Sequence, residues 1–259
     1  MASSNIRPGR YMPIGKNAGI DRDWLRRAGP PYLNCTMALF RDRIDAGVRL
    51  AARLLEREPG LRNERPFVLA LPRGGLPVAV QVARALGAPL DVVVSRKLGA
   101  PGEPELGFGA VAEGGGLYVD PDTVRLLALS QAEVDEVEAV ARAEMERRVA
   151  RYRHERPLPI LRGHVAVIVD DGIATGGTAK AAIRSIRRLQ PERLILAVPV
   201  AAASSAASFE GEVDDLVTVE SPASLWAIGA WYEDFSQLSD DEVDAWLSAA
   251  RSEEERPSP

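Results

Sequence analysis

Residues 165–178 constrain this chain more than any other stretch. Val165–Val169 is an unbroken aliphatic run with no polar alternation, and it ends in the adjacent carboxylates of Asp170 and Asp171. Gly172–Thr178 follows with three glycines and two threonines, and a helical pattern runs from Gly177 to Leu189. A strand that is apolar on both sides must be covered on both faces, as in a parallel sheet between helices. Such sheets bind ligands beyond the carboxyl ends of their strands, which is where the carboxylates and glycines fall.

The chemistry of that loop can be read residue by residue. Backbone N–H groups at a helix N-terminus bind anions, with help from the helix dipole. Glycines let the backbone approach a phosphate closely. The hydroxyls of Thr175 and Thr178 add donors, and Asp170 and Asp171 can accept from two hydroxyls of a sugar. The spacing fits one molecule with a diol at one end and a phosphate at the other. No Gly-Lys-Ser/Thr follows the glycines, and no Gly-x-Gly-x-x-Gly is present, so neither common nucleotide loop applies. A plain strand-to-helix turn accounts for one threonine and one glycine, but not for the paired carboxylates as well.

The rest of the chain supplies further strands and helices. Helical spacing spans Ala38–Leu55. Short apolar runs at Phe67–Leu71, Leu90–Val94, Leu194–Val200 and Leu216–Val219 read as strands, with helices at Pro77–Leu86, Ala132–His154 and Asp240–Ala250. Gly99–Gly116 is rich in glycine and proline and reads as a loop region with a hairpin around Phe108–Ala112. Residues 1–36 read as an irregular extension, 37–250 as one domain and 251–259 as a solvated tail. The fold class is therefore α/β, a mainly parallel sheet flanked by helices.

Composition bounds what the chain can do. Its 259 residues are 46% hydrophobic and 27% charged, enough for a sizeable core. The net charge of −5 argues against a nucleic-acid binder, which carries a basic footprint. Cys35 is the single cysteine, so neither an internal disulfide nor a multi-cysteine zinc site can form. Met1–Arg10 has no apolar core of a signal peptide, and the run Leu194–Ala203, broken by Pro199, is too short to span a bilayer. The expectation is a cytoplasmic protein without a membrane partner. His154 and His164 show no metal-ligand spacing and read as surface residues.

Two more strand ends carry candidate ligands. Arg73, Gly74 and Gly75 follow the first strand, where an arginine can pair with a phosphate in bidentate fashion. Arg96 and Lys97 follow the second, and Lys97 is one of only three lysines in an arginine-rich chain. Each also fits an ordinary solvated turn. Near the C-terminus, Trp226, Trp231, Tyr232 and Phe235 place four of the 14 aromatics within ten residues, beside Asp234. Aromatic faces with a carboxylate suit a flat, hydrogen-bonding ring, although core packing accounts for them equally well and is the preferred reading for Trp226.

Val165–Thr178 resembles the 5-phosphoribosyl 1-pyrophosphate (PRPP) motif of type I phosphoribosyltransferases. The resemblance implies that Asp170 and Asp171 bind the ribose hydroxyls, and that Ala174, Thr175, Gly176, Gly177 and Thr178 hold the 5-phosphate. It implies that Arg73, Gly74 and Gly75 face the pyrophosphate, with Lys97 as a further cation. Ala100–Gly114 matches the family's mobile loop, in which Glu103, Glu105 and Glu113 read best as solvated. Residues 221–235 match a C-terminal hood, with Trp231, Tyr232 and Asp234 as acceptor-binding candidates. The run Arg96–Leu106 and the segment Phe40–Gly47 are similar to those of a group of bacterial predicted phosphoribosyltransferases, some of them fused to a hydrolase domain. The implied reaction is Mg²⁺-dependent ribosyl transfer from PRPP to a nitrogen nucleophile. Asp170 and Asp171 reach the metal through ribose hydroxyls or water, Arg73 and Lys97 are catalytic, and Asp171 is the candidate for a proton role. A homodimer is implied as well. The rival readings are a PRPP- or nucleotide-sensing regulator on the same fold and a sugar-phosphate hydrolase, for which no histidine or cysteine nucleophile stands near the loop.

Overall fold

The computed structural model describes residues 38–154 and 156–254. The extension over residues 1–36, Cys35 and the last five residues lie outside the described part.

Five parallel strands form the central sheet in the order β2-β1-β6-β7-β8. They are β1 (Pro66–Ala70), β2 (Leu90–Val92), β6 (Val165–Val169), β7 (Arg193–Val200) and β8 (Asp215–Glu220). Strand β6 is central, with Val167 opposite Val68 on one side and Ile195 on the other. Its side chains alternate between two cores, and this explains its unbroken apolar character. Val165, Val167 and Val169 face one core, against α1 (Arg43–Arg57), α2 (Gly75–Leu86) and α7 (Asp240–Glu254). Ala166 and Ile168 face the other, against α5 (Gly177–Arg187) and Phe209. Fully burying each such aliphatic side chain contributes about 1.5–3 kcal/mol.

A second sheet, β3-β4-β5, is antiparallel: β3 (Ser95–Ala100), β4 (Glu103–Ala112) and β5 (Gly116–Val119). It packs between α4 (Gln131–Arg153) and α5. The short helices α3 (Pro121–Leu126) and α6 (Ala203–Ala207) and three 3₁₀ turns complete the described elements. The mainly parallel sheet flanked by helices meets the expectation from the sequence. No described helix is long and apolar enough to cross a membrane.

Several expectations change. The first helix begins at Arg43 rather than Ala38, because the Asp42 side chain accepts from the Asp45 N–H at 2.7 Å and caps it. Upstream, Phe40 instead bridges to Tyr232 in extended backbone. The expected strand over Leu90–Val94 stops at Val92 and the chain re-enters strand at Ser95, in the second sheet. The glycine-rich region holds the expected hairpin, with Gly109–Ala112 of β4 paired to Gly116–Val119 of β5, and adds a pairing of β3 with β4 that the sequence did not suggest. A Cβ at Gly99 would stand 2.4 Å from the Pro104 carbonyl oxygen, and one at Gly109 would stand 2.4 Å from that of Tyr118. These glycines let strands approach each other. Helix α7 also continues to Glu254, past the expected end at Ala250.

Candidate active site

The ends of β6 and β1 interlock. Asp170 follows β6 directly, and its Oδ1 accepts from the N–H of Asp171 at 2.9 Å. The loop from β1 to α2 runs alongside, through a cis Pro72–Arg73 peptide. A Cβ at Gly74 would stand 2.0 Å from Asp171 Oδ2, and one at Gly75 would stand 2.7 Å from the Val169 carbonyl oxygen. No larger residue fits either position unless the acidic pair moves. The glycines read as pyrophosphate ligands thus also pack the two loops together.

The rest of the phosphate loop is braced from behind. Ile173 donates to the Val200 carbonyl at 2.8 Å, and the Ser205 hydroxyl donates to the Ala174 carbonyl. Gly176 adopts a left-handed conformation (φ 79°) and caps α5, and a Cβ there would stand 2.7 Å from the Phe209 ring. Gly177 and Thr178 form the first residues of α5, where N–H groups have no helical partner. Thr175, Gly177 and Thr178 line a cavity of about 120 Å³ with Lys97, Gly107, Tyr118 and Asp120. The structure therefore brings Lys97 of β3 to the phosphate loop. Its ammonium donates to the Glu105 carbonyl at 2.8 Å and lies 3.4 Å from the Glu105 carboxylate. Lys180, which sequence reasoning passed over, stands one turn into α5 with its ammonium 4.9 Å from the Tyr118 ring centre. Its scarcity as one of three lysines was the available signal.

Asp171 is 8% exposed and forms a buried ion pair that the sequence did not suggest. Arg43 Nε donates to Asp171 Oδ2 at 2.8 Å. Burial pushes the Asp170 carboxyl well above the usual carboxylate range, and the adjacent Asp171 charge adds to this. Burial also raises Asp171, where the Arg43 guanidinium opposes it. Arg73 lies 3.8 Å from Asp240 Oδ1 at the start of α7, and Asp240 also accepts from the Tyr152 hydroxyl.

The hood corrects several assignments. Tyr232 is 5% exposed, with its ring between Phe40 and Phe235 at 5.2 and 4.9 Å, and its hydroxyl donates to the Asp171 carbonyl at 2.6 Å. Tyr232 therefore braces the acidic pair and cannot offer a free face to a base. Asp234 is exposed and accepts from the Ser236 N–H at 2.9 Å, and Trp231 is half-buried. Trp226, expected in the core, is 95% exposed. Ile228 covers Gly172, whose Cβ would stand 2.6 Å from it. Glu113, read as solvated, is buried against Arg153 at 2.6 Å, and Arg153 also pairs with Asp91 at 2.8 Å.

No cluster of three or more histidine, cysteine or acidic residues that could cage a metal occurs among the described residues. Asp170 and Asp171 are hard oxygen donors. Two of them suit Mg²⁺, which keeps several waters and takes few protein ligands.

This geometry places an adjacent carboxylate pair, a glycine- and threonine-rich loop that caps a helix, and an arginine-bearing loop at the carboxyl edge of one parallel sheet. A family model described as "Phosphoribosyl transferase domain" matches residues 41–233. A protein of Mycobacterium tuberculosis named "Putative phosphoribosyl transferase", found in two strains, is 47% identical over 214 residues, 83% of this chain and 47% of its own length. The chain thus spans about half the length of the curated relatives it matches. The solved structure of TT1426 from Thermus thermophilus is 42% identical, covers 80% of this chain and 97% of its own, and superposes with a TM-score of 0.66. The matched span contains Arg43, Arg73, Lys97, the acidic pair, the phosphate loop and Tyr232, and the chain belongs to the phosphoribosyl transferase domain family.

Proposed function

We propose that the chain is a Mg²⁺-dependent phosphoribosyltransferase that takes PRPP as donor and a nitrogen nucleophile as acceptor. The observation that carries this reading is the contact between Gly74 and Asp171, which joins the arginine loop to the diol-accepting pair within one site. Asp170 and Asp171 accept from the ribose hydroxyls. The N–H groups and hydroxyls of Thr175–Thr178 hold the 5-phosphate. Arg73 faces the pyrophosphate end, whereas Lys97, expected there from the sequence, lines the phosphate-loop cavity and adds a cation at the 5-phosphate. As the bond from the anomeric carbon to the pyrophosphate oxygen breaks, pyrophosphate leaves with the electron pair, the acceptor nitrogen forms the new bond and its proton passes to solvent. Asp170 and Asp171 would hold Mg²⁺ through hydroxyls or water, and the ion would supply positive charge to the leaving group. The rest of the catalysis is positioning and electrostatics. A cytoplasmic site of action and a homodimer go with this reading.

Calorimetric titration of PRPP with and without Mg²⁺, followed by assay of pyrophosphate release with a panel of nitrogenous bases, tests it. Saturable, Mg²⁺-enhanced binding, lost in Asp170→Asn and Asp171→Asn, is expected. Unchanged PRPP affinity and turnover in both variants would overturn the assignment. A second reading, a PRPP sensor without transfer, draws on the hood, whose Tyr232 and Phe235 rings are spent on packing. It is distinguished by PRPP binding with no pyrophosphate released by any base.

A further inference from the structure

Asp171 is held from three directions. Gly74 closes one side. The Tyr232 hydroxyl takes its backbone carbonyl. Arg43, 128 residues earlier, donates from Nε to its Oδ2 at 2.8 Å. Arg43 is itself fixed at further points: its Nη1 donates to the Ser236 carbonyl at 2.8 Å, and its guanidinium carbon lies 3.9 Å from the centre of the Phe235 ring. Burying a guanidinium is tolerated only when its charge and donors are met. Its planar fork allows one residue to meet a carboxylate, a carbonyl and a ring at once, which a lysine cannot do.

A simple structural ion pair could sit anywhere in the core. This one ends on the carboxylate assigned to the ribose, and it starts from the first residue of α1. We propose that Arg43 is a positioning residue for ribose recognition. It fixes the Asp171 carboxylate in the orientation that accepts the ribose 2-hydroxyl, and it ties that orientation to the Phe235–Ser236 segment on the acceptor side. This rests on reading Asp170–Thr178 as a ribose 5-phosphate site. Arg43 acts through Asp171, so its loss weakens recognition of the hydroxyls while leaving the phosphate loop intact.

The test is calorimetric titration of ribose 5-phosphate and of 2-deoxyribose 5-phosphate into the full chain and its Arg43→Met and Phe235→Leu variants. The wild-type chain is expected to prefer ribose 5-phosphate. In Arg43→Met, ribose 5-phosphate affinity falls about tenfold, while 2-deoxyribose 5-phosphate affinity changes less than about twofold, so the preference collapses. Phe235→Leu leaves both partners of the ion pair in place and keeps most of the preference. The ratio of the two affinities does not depend on how much of the sample is folded. If Arg43→Met does not fold, Arg43→Lys carries the same comparison, and collapse of the preference supports the proposal. A preference that survives, or an equal loss for both sugars, reduces Arg43 to a structural role and overturns it. A wild-type chain that binds both sugars equally overturns the reading of the acidic pair itself, which is a separate failure.

Discussion

At Gly74, a single hydrogen stands where any other residue would place a carbon 2.0 Å from Asp171 Oδ2. Gly74→Ala is therefore expected to destabilise the protein by about 1–3 kcal/mol as the site is overpacked. It should also weaken ribose 5-phosphate binding, and chemical denaturation together with calorimetry reads both effects. The placing of the acidic pair, the glycine–threonine loop and Arg73 at strand ends was legible in the sequence, because it depends on neighbours within a few residues. Arg43 was not, because nothing at residue 43 announces a partner at residue 171. A second prediction at this scale concerns Glu144 on α4. A hydrogen bond from Arg147, with the charges of Arg147 and Arg148 nearby, holds its carboxyl at about 2, below an ordinary value of 4.5. The folded state then binds fewer protons than the unfolded state between those values. The stabilisation is complete above pH 4.5 and is lost as pH falls toward 2. Glu144→Gln should lower stability at neutral pH by roughly 0.5–1 kcal/mol, and denaturation curves of the two proteins should converge by about pH 2.

Among the elements, β6, α5 and β7 matched the sequence reading to within two residues at each end, since unbroken aliphatic runs and the glycine turn before α5 have few alternatives. The β3–β4 hairpin did not, because glycine and proline are loop signals by composition and packing devices by position. Only the strand partners, Pro104 and Tyr118, reveal which role applies. The buried group of Arg153, Glu113 and Asp91 escaped for a related reason: Glu113 reads as solvated, and its partners come from α4 and β2, far from it in the chain. Helix α7 touches the arginine loop through Asp240, whose carboxylate lies 3.8 Å from Arg73. If pyrophosphate competes with that carboxylate, Asp240→Asn should bind inorganic pyrophosphate roughly two- to fivefold more tightly than the wild-type chain, as measured by calorimetry. Equal affinity would show that Arg73 does not exchange partners.

For the whole molecule, the central sheet joins two cores, one under α1, α2 and α7 and one under α5. Strands shared between both cores should make unfolding cooperative across the sheet. Leu54→Ala, on the first core, and Ile183→Ala, on the second, are each expected to cost about 2–5 kcal/mol. Both should shift one and the same transition, whether it is followed by tryptophan fluorescence or by circular dichroism. Two separable transitions would show that the faces melt independently.

The bracing of Asp171 has a consequence for how the protein comes into being on the ribosome. Its partners are Arg43 near the start of the described chain and Tyr232 near its end, and Arg43 is itself anchored by the carbonyl of Ser236. A nascent chain that has already made the phosphate loop still lacks the contacts that hold the carboxylate beside it. The site is completed only after the segment through Ser236 has emerged and folded back, so a truncated translation product carries the motif without a finished pocket.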